Sequence, residues 1–367
     1  MSLTEKKLKI AFNVRCLSSS KVRGISRYTM EILKHLSDKV DFYFFSDRDI
    51  DESLLKGIQY KNIFITKKYN HFYWEQVIVP FQCMKVGIDV YHCPSNYGTP
   101  LLLMGKTVVT IHDAIDFKIG KLPLLINFYY FLTKTFSKHF ITVSHFSKAD
   151  IVSCFRINPE RITVTYEASQ LNLLNPVVSE RETREFNLSE DYFFYVGGWE
   201  KRKNIKFLIN TISQFSAEER PTLVLAGEKN ESIYKEIQEY VKNKKLTKSI
   251  VLYKWISENQ LVSLYREAFC FVYPSLYEGF GLQVCEAMQF NLPVITSDRT
   301  ALPEILGNDL ATFSPIDQMQ LMTLMKKVML NKMFYNSLVD HSNRRKTFFS
   351  WDKTAELTFD VYKKMKP

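Results

Sequence analysis

The sequence predicts an α/β protein built from two Rossmann-like, doubly wound domains, and three observations lead to that prediction. A chain of 367 residues is long enough for about two domains that each bury a core of their own. Short apolar runs typical of buried parallel strands alternate with segments of helical periodicity in both halves of the chain. Polar and charged residues directly follow several of these runs, where open α/β sheets bind ligands.

Composition and charge narrow the class of protein. The six cysteines never show C-x-x-C spacing and no signal peptide is evident, so we expect a reduced, cytoplasmic protein. No uncharged apolar stretch reaches the ~18 residues needed to cross a bilayer. Residues 1–170 hold 23 Lys/Arg and 15 Asp/Glu, which places +8 of the net charge of +10 in the first half. This excess suits a solvated face, a phosphorylated acceptor or an anionic membrane surface. No nucleic-acid-binding motif accompanies it, so we expect no nucleic-acid partner.

The N-terminal half contains a series of apolar runs that we interpret as strands or strand ends. They are Leu8–Val14, Asp41–Phe45, Asp89–Pro94, Thr107–Asp113, Ile141–Ser147 and Arg161–Val164. A helix is predicted over Ser26–Leu36 with Ser26 as its N-cap, and another is predicted to be capped near Ser147. Leu122–His139 is an aromatic-rich helix that we expect to face the core, with contact to a lipid-linked acceptor or a membrane as the alternative.

The C-terminal half shows the same alternation after a polar segment, Asn175–Leu188, that we interpret as a linker. Its predicted strands are Tyr192–Val196, Leu223–Gly227, Ile250–Tyr253 and Phe271–Pro274. Asn204 is predicted to cap the helix that follows the first of these strands.

Two loops of this half have the composition of an anion-binding site. In one, Gly197 and Gly198 precede a cationic run that includes Arg202 and Lys203 and leads into a helix. In the other, two carboxylates, Glu278 and Glu286, bracket a Gly-Phe-Gly turn, and a helix is predicted to open at Phe280 or Gly281. Carboxylates accept hydrogen bonds from the vicinal hydroxyls of sugars and riboses. Two carboxylates beside a phosphate-binding turn therefore suggest a nucleotide-sugar ligand.

Two overlapping D-x-D triplets, formed by Asp47, Asp49 and Asp51, raise the possibility of a metal site. They lie in a polar connector, and nothing in the neighbouring sequence resembles the context of a known D-x-D metal site. We therefore expect a solvated loop, no metal site and no required cofactor.

The segment PSLYEGFGLQVCEAM resembles the E-x7-E signature of the retaining family 4 glycosyltransferases, which have the GT-B fold. The resemblance continues along nearly the whole chain. It implies two Rossmann-like domains that face a cleft, with an acceptor-side domain over residues 1–174 and a nucleotide-sugar-binding domain over residues 190–348. It also implies that a C-terminal helix, residues 349–367, crosses back to the first domain.

The resemblance assigns the donor-binding residues. Glu278 is implied to contact hydroxyls of the donor sugar, Glu286 to hold the nucleotide ribose, and Arg202 and Lys203 to bind the diphosphate. The residues after the first glutamate are implied to contact sugar and diphosphate; they are Gly279, Phe280, Gly281 and Leu282. Tyr253 and Trp255 lie at the strand end where relatives recognise the base, so the resemblance implies that they contact it.

The resemblance also places a catalytic group in the first domain. Thr110 to Asp113 matches a T-x-H-D segment in which the histidine, here His112, helps to stabilise positive charge at the anomeric carbon, supported by Asp113. Gly24 matches the glycine of the first strand-to-helix loop, where donor phosphate and acceptor approach.

These roles imply transfer of a hexosyl group, with retention, from a nucleoside-diphosphate sugar to a glycan or lipid-linked glycan acceptor. Bacterial exopolysaccharide or envelope synthesis at the inner face of the plasma membrane is the implied setting, and UDP-glucose or a related UDP-hexose is the favoured donor. The alternatives are GDP-mannose-dependent mannosyl transfer, phosphorolysis or epimerisation on the same fold, and a catalytically silent binder of glycan or nucleic acid.

Overall fold

The computed structural model describes residues 6–18, 24–120, 122–171, 188, 191–227 and 230–366. The chain divides into two compact units: unit 1 comprises Met1–Glu167 and Ser350–Pro367, and unit 2 comprises Ala168–Phe349. The predicted linker lies outside the described residues except at its last position, Leu188.

Unit 1 contains a sheet of seven described strands that are paired in parallel, in the order β3-β2-β1-β4-β5-β6-β7. The direction in which the chain adds strands reverses between β1 and β4, and such a switch point is where open α/β sheets bind ligands. The strands are β1 Lys9–Asn13, β2 Asp41–Ser46, β3 Asn62–Ile65, β4 Val90–Cys93, β5 Thr107–Thr110, β6 His139–Thr142 and β7 Ile162–Val164.

Helices connect these strands. They are α1 Gly24–Leu36, α2 His71–Tyr73, α3 Val79–Val86, α4 Ile115–Ile119, α5 Leu124–Phe136 and α6 His145–Phe155. A π-helical turn, Trp74–Ile78, joins α2 to α3. Every residue of β4 and β5 is buried, which explains why these strands have continuous apolar runs rather than an alternating pattern.

Unit 2 contains a second parallel sheet of six described strands, in the order β10-β9-β8-β11-β12-β13. Its switch point lies between β8 and β11, the two central strands. The strands are β8 Tyr192–Gly197, β9 Thr222–Gly227, β10 Ile250–Tyr253, β11 Cys270–Tyr273, β12 Val294–Ser297 and β13 Thr312–Phe313. The helices of unit 2 are α7 Ile205–Ser213, α8 Glu231–Asn243, α9 Glu258–Glu267, α10 Leu282–Gln289, α11 Leu302–Leu306, α12 Gln318–Leu330 and α13 Lys332–Arg345.

The last helix, α14 Trp351–Met365, belongs to unit 1. The Tyr362 hydroxyl lies 2.5 Å from Nδ1 of His92 in β4, and the ring of Trp351 lies 6.1 Å from that of Tyr28 in α1. Buried aromatic and polar contacts therefore join this helix to the N-terminal sheet.

The alternation of strands and helices is confirmed. Strands β3 and β13 were not predicted, and the other differences from the sequence prediction lie at element ends. Ser26 is not an N-cap: α1 begins at Gly24, and the Ser26 hydroxyl donates to the Cys16 carbonyl at 2.8 Å. His139 opens β6 instead of ending α5, because its backbone pairs with Val108 of β5. The cap of α6 is Ser144, whose side chain accepts from the Ser147 N–H.

Other predicted ends shift by a residue or lose a contact. Arg161 ends a short 3-10 turn before β7, and α10 begins at Leu282, one residue later than predicted. Asn204 occupies the N-cap position of α7, but its side chain donates to the Pro315 carbonyl and does not cap the helix.

Helix α5 has one buried and one exposed apolar face. Tyr129, Tyr130, Leu132 and Thr133 are buried, so the expectation of a core-facing helix holds for that side. The opposite side exposes large apolar side chains: Leu124, Leu125, Phe128 and Phe131. A search of the described helices finds none with the length and hydropathy needed to span a bilayer.

Candidate active site

The two central strands of unit 2 present a group of polar residues at their carboxyl ends. Lys203 ends a 3-10 turn that follows β8, and Glu278 lies in the loop that follows β11. The parallel pairing of β8 and β11 brings these loops together at the switch point of the sheet.

Glu278 is held by four side chains. Its Oε1 accepts from Lys203 Nζ at 2.7 Å, Ser275 Oγ at 2.6 Å and the Tyr273 hydroxyl at 3.1 Å. Its Oε2 accepts from Arg202 Nη1 at 3.1 Å. We call these five residues the Glu278 cluster. Because both carboxylate oxygens have strong donors, the side chain is fixed at the end of the sheet.

The electrostatics of the Glu278 cluster favour an anionic ligand. Burial raises the pKa of Glu278, but the charges of Lys203 and Arg202 outweigh burial and hold that pKa below its ordinary value. Two cations around one carboxylate leave an excess of one positive charge. The cluster therefore has both a hydroxyl-accepting carboxylate and charge available for a phosphate.

Helix α10 begins directly beside this loop. Gly281 precedes it with φ of 97°, and a Cβ at that position would lie 2.6 Å from Leu302 Cδ2, so both backbone conformation and packing require glycine. The N-terminal end of α10 carries the positive end of the helix dipole and the unpaired N–H groups of a first turn. Gly279 and Phe280 precede Gly281, and Leu282 is the first residue of the helix. Phe280 is buried, with its ring edge-to-face against that of Phe349 at a centroid distance of 5.7 Å.

Glu286 lies one turn into α10 and is buried. Its Oε2 accepts from the Tyr265 hydroxyl at 3.0 Å. The structure thus carries both glutamates on the same loop-and-helix segment, with Glu278 among cations and Glu286 beside a tyrosine.

The predicted base-binding residues lie further along the sheet. Tyr253 ends β10, at the edge of the sheet and two strands from β8, where burial raises its pKa to about 12. The side chain of Trp255 is 62% exposed. Their contact with a base stays a prediction.

In unit 1, His112 follows β5 and is buried among acceptors. Its Nε2 lies 3.0 Å from the Pro94 carbonyl, and its Nδ1 lies 3.4 Å from Glu167 Oε1. Burial lowers the pKa of His112, but the hydrogen bond and charge of Glu167 outweigh burial and raise it above its ordinary value. The backbone is fixed as well, since the N–H donates to Asn96 at 2.9 Å and the carbonyl accepts from Ser147 at 3.0 Å.

The other two predicted residues of unit 1, Asp113 and Gly24, lie at the starts of helices. Asp113 Oδ1 accepts from the Ile115 N–H at 3.0 Å, at the start of α4. Gly24 is the exposed first residue of α1, and a Cβ built there meets nothing within 4 Å. Packing within the described chain therefore does not require glycine at this position.

The D-x-D segment forms ion pairs and a turn. Asp47 pairs with Arg15 at 2.8 Å and Arg48 at 2.9 Å, while Asp49 pairs with Lys67 and Asp51 accepts from the Ser53 N–H. No group of three His, Cys, Asp or Glu side chains placed for a metal is found in the part of the chain that the structure describes. The absence of a required metal remains a prediction.

Several site residues were not found from the sequence. Tyr273 and Ser275 border the end of β11, and Glu167 follows β7. All three are polar residues at the carboxyl end of a strand, the signal that selected His112. Tyr265 carries no such signal, because it belongs to the middle of helix α9 and reaches Glu286 only through the fold.

Both halves of the chain match family models of glycosyltransferases. Residues 22–168 match the family described as Glycosyltransferase Family 4, and residues 179–345 match Glycosyl transferases group 1. The serotype-specific mannosyltransferase WbdA of Escherichia coli is 28% identical over 280 residues, covering 71% of this chain and 34% of that protein. The chain thus spans about a third of the length of this relative.

Two further proteins resemble the chain over most of their own length. The O-antigen chain mannosyltransferase RfbU of Salmonella typhimurium is 27% identical, covering 71% of this chain and 70% of that protein. The crystal structure of Anabaena Alr3699/HepE in complex with UDP-glucose superposes with a TM-score of 0.78 at 15% identity, covering 97% of this chain and all of that one. The two parallel sheets and the similar solved structures give the chain the α/β GT-B fold, and the two family matches together support a GT-B glycosyltransferase.

Proposed function

We propose that the chain is a retaining glycosyltransferase that moves a hexosyl group from a nucleoside-diphosphate sugar to a hydroxyl of a glycan acceptor. The setting that we propose is bacterial surface-polysaccharide synthesis. The Glu278 cluster is the observation that carries this proposal, since it combines a buried carboxylate with surplus positive charge beside a helix N-terminus. The comparisons support the class of protein and a role in bacterial glycan synthesis.

In this proposal the donor is bound mainly by unit 2. Lys203, Arg202 and the N-terminal end of α10 bind the diphosphate, because cations and helix N–H groups stabilise phosphate oxygens. Glu278 accepts hydrogen bonds from the donor sugar, and Glu286 accepts them from the ribose hydroxyls. Lys203 and Arg202 thereby change partners, from a carboxylate alone to a carboxylate and a diphosphate.

The mechanism that we propose uses electrostatic stabilisation without a protein nucleophile. The acceptor attacks from the face that the diphosphate leaves, and a diphosphate oxygen takes the acceptor proton. The positive charge of His112 is compensated by Glu167, so the pair adds no net charge near a cationic anomeric carbon. The His112 carbonyl, which accepts from Ser147 on one side, retains a second lone pair for that carbon.

For the transferred sugar we propose mannose, with GDP-mannose as donor. The relatives WbdA and RfbU are named as mannosyltransferases, which supports mannose over other hexoses. UDP-glucose, the donor that the sequence analysis favours, stays a prediction. A screen of nucleotide-sugars distinguishes it from GDP-mannose.

A screen of nucleotide-sugars followed by a transfer assay tests the function. We expect GDP-mannose to raise the melting temperature and to be consumed faster with a glycan acceptor than without it, in EDTA as well as in buffer. Donor that is consumed equally without acceptor would indicate phosphorolysis or epimerisation, and donor that binds without turnover would indicate a silent binder. Either result contradicts the proposal.

We also propose that unit 1 contacts an anionic membrane surface, at the cytoplasmic face, where a lipid-linked acceptor is found. The exposed face of α5 supports this contact: Leu124 is 89% and Phe131 is 52% exposed, and Lys134 lies on the same helix. Apolar side chains inserted at the interface, with lysines toward anionic headgroups, are the interactions of a peripheral helix.

Vesicle flotation tests this contact. Wild-type protein should float with vesicles that contain anionic lipid, and Leu124→Ser with Phe128→Ser should reduce that fraction. Leu310→Ser is the matched control, because Leu310 is a comparably exposed leucine in unit 2. Equal flotation of the wild-type and α5 variants would contradict the contact.

A further inference from the structure

A second polar group lies at the carboxyl edge of the unit 1 sheet, and no role described above uses it. Arg15 follows β1, which borders the switch point, and Asp47 follows the neighbouring strand β2. His71, Trp74 and Glu75 approach them from α2 and the π-helical turn. We call these five residues the Arg15 cluster.

The guanidinium of Arg15 is fixed on three sides. Its Nε donates to Asp47 Oδ1 at 2.8 Å, and its Nη1 lies 3.2 Å from His71 Nε2. The central carbon of the guanidinium, Cζ, lies 5.8 Å from the centre of the Trp74 ring. Within the described residues no hydrogen bond involves Nη2. The Arg15 side chain as a whole is 22% exposed, so part of it is accessible to a ligand.

His71 holds this arrangement through a single tautomer. Its Nδ1 lies 3.2 Å from Asp47 Oδ2, and its Nε2 faces the donating Nη1 of Arg15. With a proton on Nδ1, the ring directs that proton towards the Asp47 carboxylate without hydrogen-bond geometry, and its Nε2 accepts from Arg15. His71 links the two residues and sets the orientation of the guanidinium.

Glu75 adds two features that proteins seldom keep without a function. Glu75 is 1% exposed, and its Oε1 has no hydrogen-bond partner among the residues that the structure describes; His71 Nε2 lies 3.8 Å away. It also lies in the π-helical turn Trp74–Ile78, and such turns occur frequently at functional sites. Glu75 is close enough to Arg15 for the charge of the guanidinium to act on its carboxyl group.

The charges of the group favour an anion. Burial raises the pKa of Glu75 and so favours its neutral form. Burial works to raise the pKa of Asp47, but the contacts with His71, Arg48 and Arg15 outweigh burial, lower that pKa and keep the carboxylate ionised. Two arginines then share one carboxylate, and the end edge of a guanidinium matches two oxygens of a phosphate or carboxylate.

We propose that Arg15 binds an oxyanion of the acceptor, a phosphate or a carboxylate, and that His71 positions Arg15 for this contact. The inference rests on the proposed function, which supplies a glycan acceptor as the ligand of unit 1. Recognition of a negatively charged acceptor at the end of β1 would give the enzyme selectivity that the donor residues do not provide.

Acceptor kinetics with three probes test the proposal: neutral mannotriose, a phosphorylated mannotriose and one that carries a uronic acid. The wild-type enzyme should prefer a charged probe, and the preferred one identifies the oxyanion. Arg15→Gln should raise KM for that probe about tenfold to a hundredfold, the effect of losing hydrogen bonds to a charged group, while KM for the donor stays unchanged. Lys61→Gln is the matched control, because Lys61 forms an exposed pair with Asp41 where β2 and β3 begin, at the opposite edge of the sheet, and KM in this variant should change less than about twofold.

The variants of His71 separate positioning from folding. His71→Gln retains one donor and one acceptor and should keep most of the preference for the charged probe, whereas His71→Ala should lose it at unchanged donor KM. Calorimetric binding of the phosphorylated and uronic-acid probes, which needs no turnover, provides a second readout. Unchanged charged-probe KM and affinity in Arg15→Gln, or equal wild-type KM for all three probes, would overturn the inference. A wild-type enzyme that transfers no sugar would instead refute the proposed function.

Discussion

Replacing Lys203 with methionine tests whether the Glu278 cluster is held together by charge. Methionine keeps the apolar stem of lysine but removes the ammonium, which lies 2.7 Å from Glu278 Oε1. Both side chains are buried, and breaking a buried ion pair costs roughly 3–5 kcal/mol. Arg202 remains on Oε2, so we expect the lower limit, about 3 kcal/mol of unfolding free energy. For a unit of this size that corresponds to a decrease in melting temperature of roughly 6–12 °C.

The double variant Lys203→Met with Glu278→Gln isolates the electrostatic part. The single variant leaves the buried Glu278 carboxylate with one cation instead of two, and the double variant makes that side chain neutral. The double variant should therefore recover most of the lost melting temperature. The control Lys206→Met breaks an exposed pair with Glu236 in the same unit and should leave the melting temperature unchanged.

The pH dependence of unfolding has a definite sign. Because the folded pKa of Glu278 lies below its ordinary 4.5, the stability from its ionised form is complete above pH 4.5 and is lost as pH falls through the folded pKa. The wild-type advantage over the double variant should therefore shrink at acid pH. Thermal unfolding by circular dichroism measures all four proteins, and a single variant as stable as wild type, or a double variant no more stable than the single, would refute this account.

Three further results are expected. Glu286→Ala should weaken calorimetric binding of the free nucleoside diphosphate about tenfold or more, through loss of hydrogen bonds to a charged group, and unchanged affinity would remove Glu286 from the ribose site. NMR titration should give His112 a pKa above 6.5, and that pKa should fall in Glu167→Gln. The stability that the pair contributes is complete below pH 6.5 and is lost as pH rises through the folded pKa. An identical titration in the variant would contradict the pairing. Gly281→Ala should lower the free energy of unfolding by about 1–3 kcal/mol, because Gly281 has a positive φ and an added Cβ would clash with Leu302. Equal denaturation midpoints for the wild type and the variant would contradict this expectation.

The edge strand β3 has no buried residue and was not predicted from the sequence. The sequence predicts the central strands well because they are buried on both faces. Their continuous apolar runs need no knowledge of their neighbours, and the residues at their carboxyl ends can be selected in the same way. Element ends depend on longer-range contacts. Ser26 has the chemistry of an N-cap, yet the Cys16 carbonyl takes its hydroxyl.

Partnerships within the site are not encoded in local spacing. Glu278 and Lys203 were assigned separately to sugar and diphosphate, and the fold joins them across 75 positions. The His112–Glu167 pair and the Arg15 cluster likewise depend on which strand ends become neighbours. Helix α5 shows a further limit, because a helix that is apolar on several faces does not reveal which face the core covers.

The stereochemistry of the transfer product tests the central claim most directly. Wild-type protein incubated with GDP-mannose and mannotriose should yield a new α-mannosyl linkage, identified by the one-bond C1–H1 coupling in the NMR spectrum, because the acceptor attacks from the face that the diphosphate leaves. A β-linked product would contradict that account.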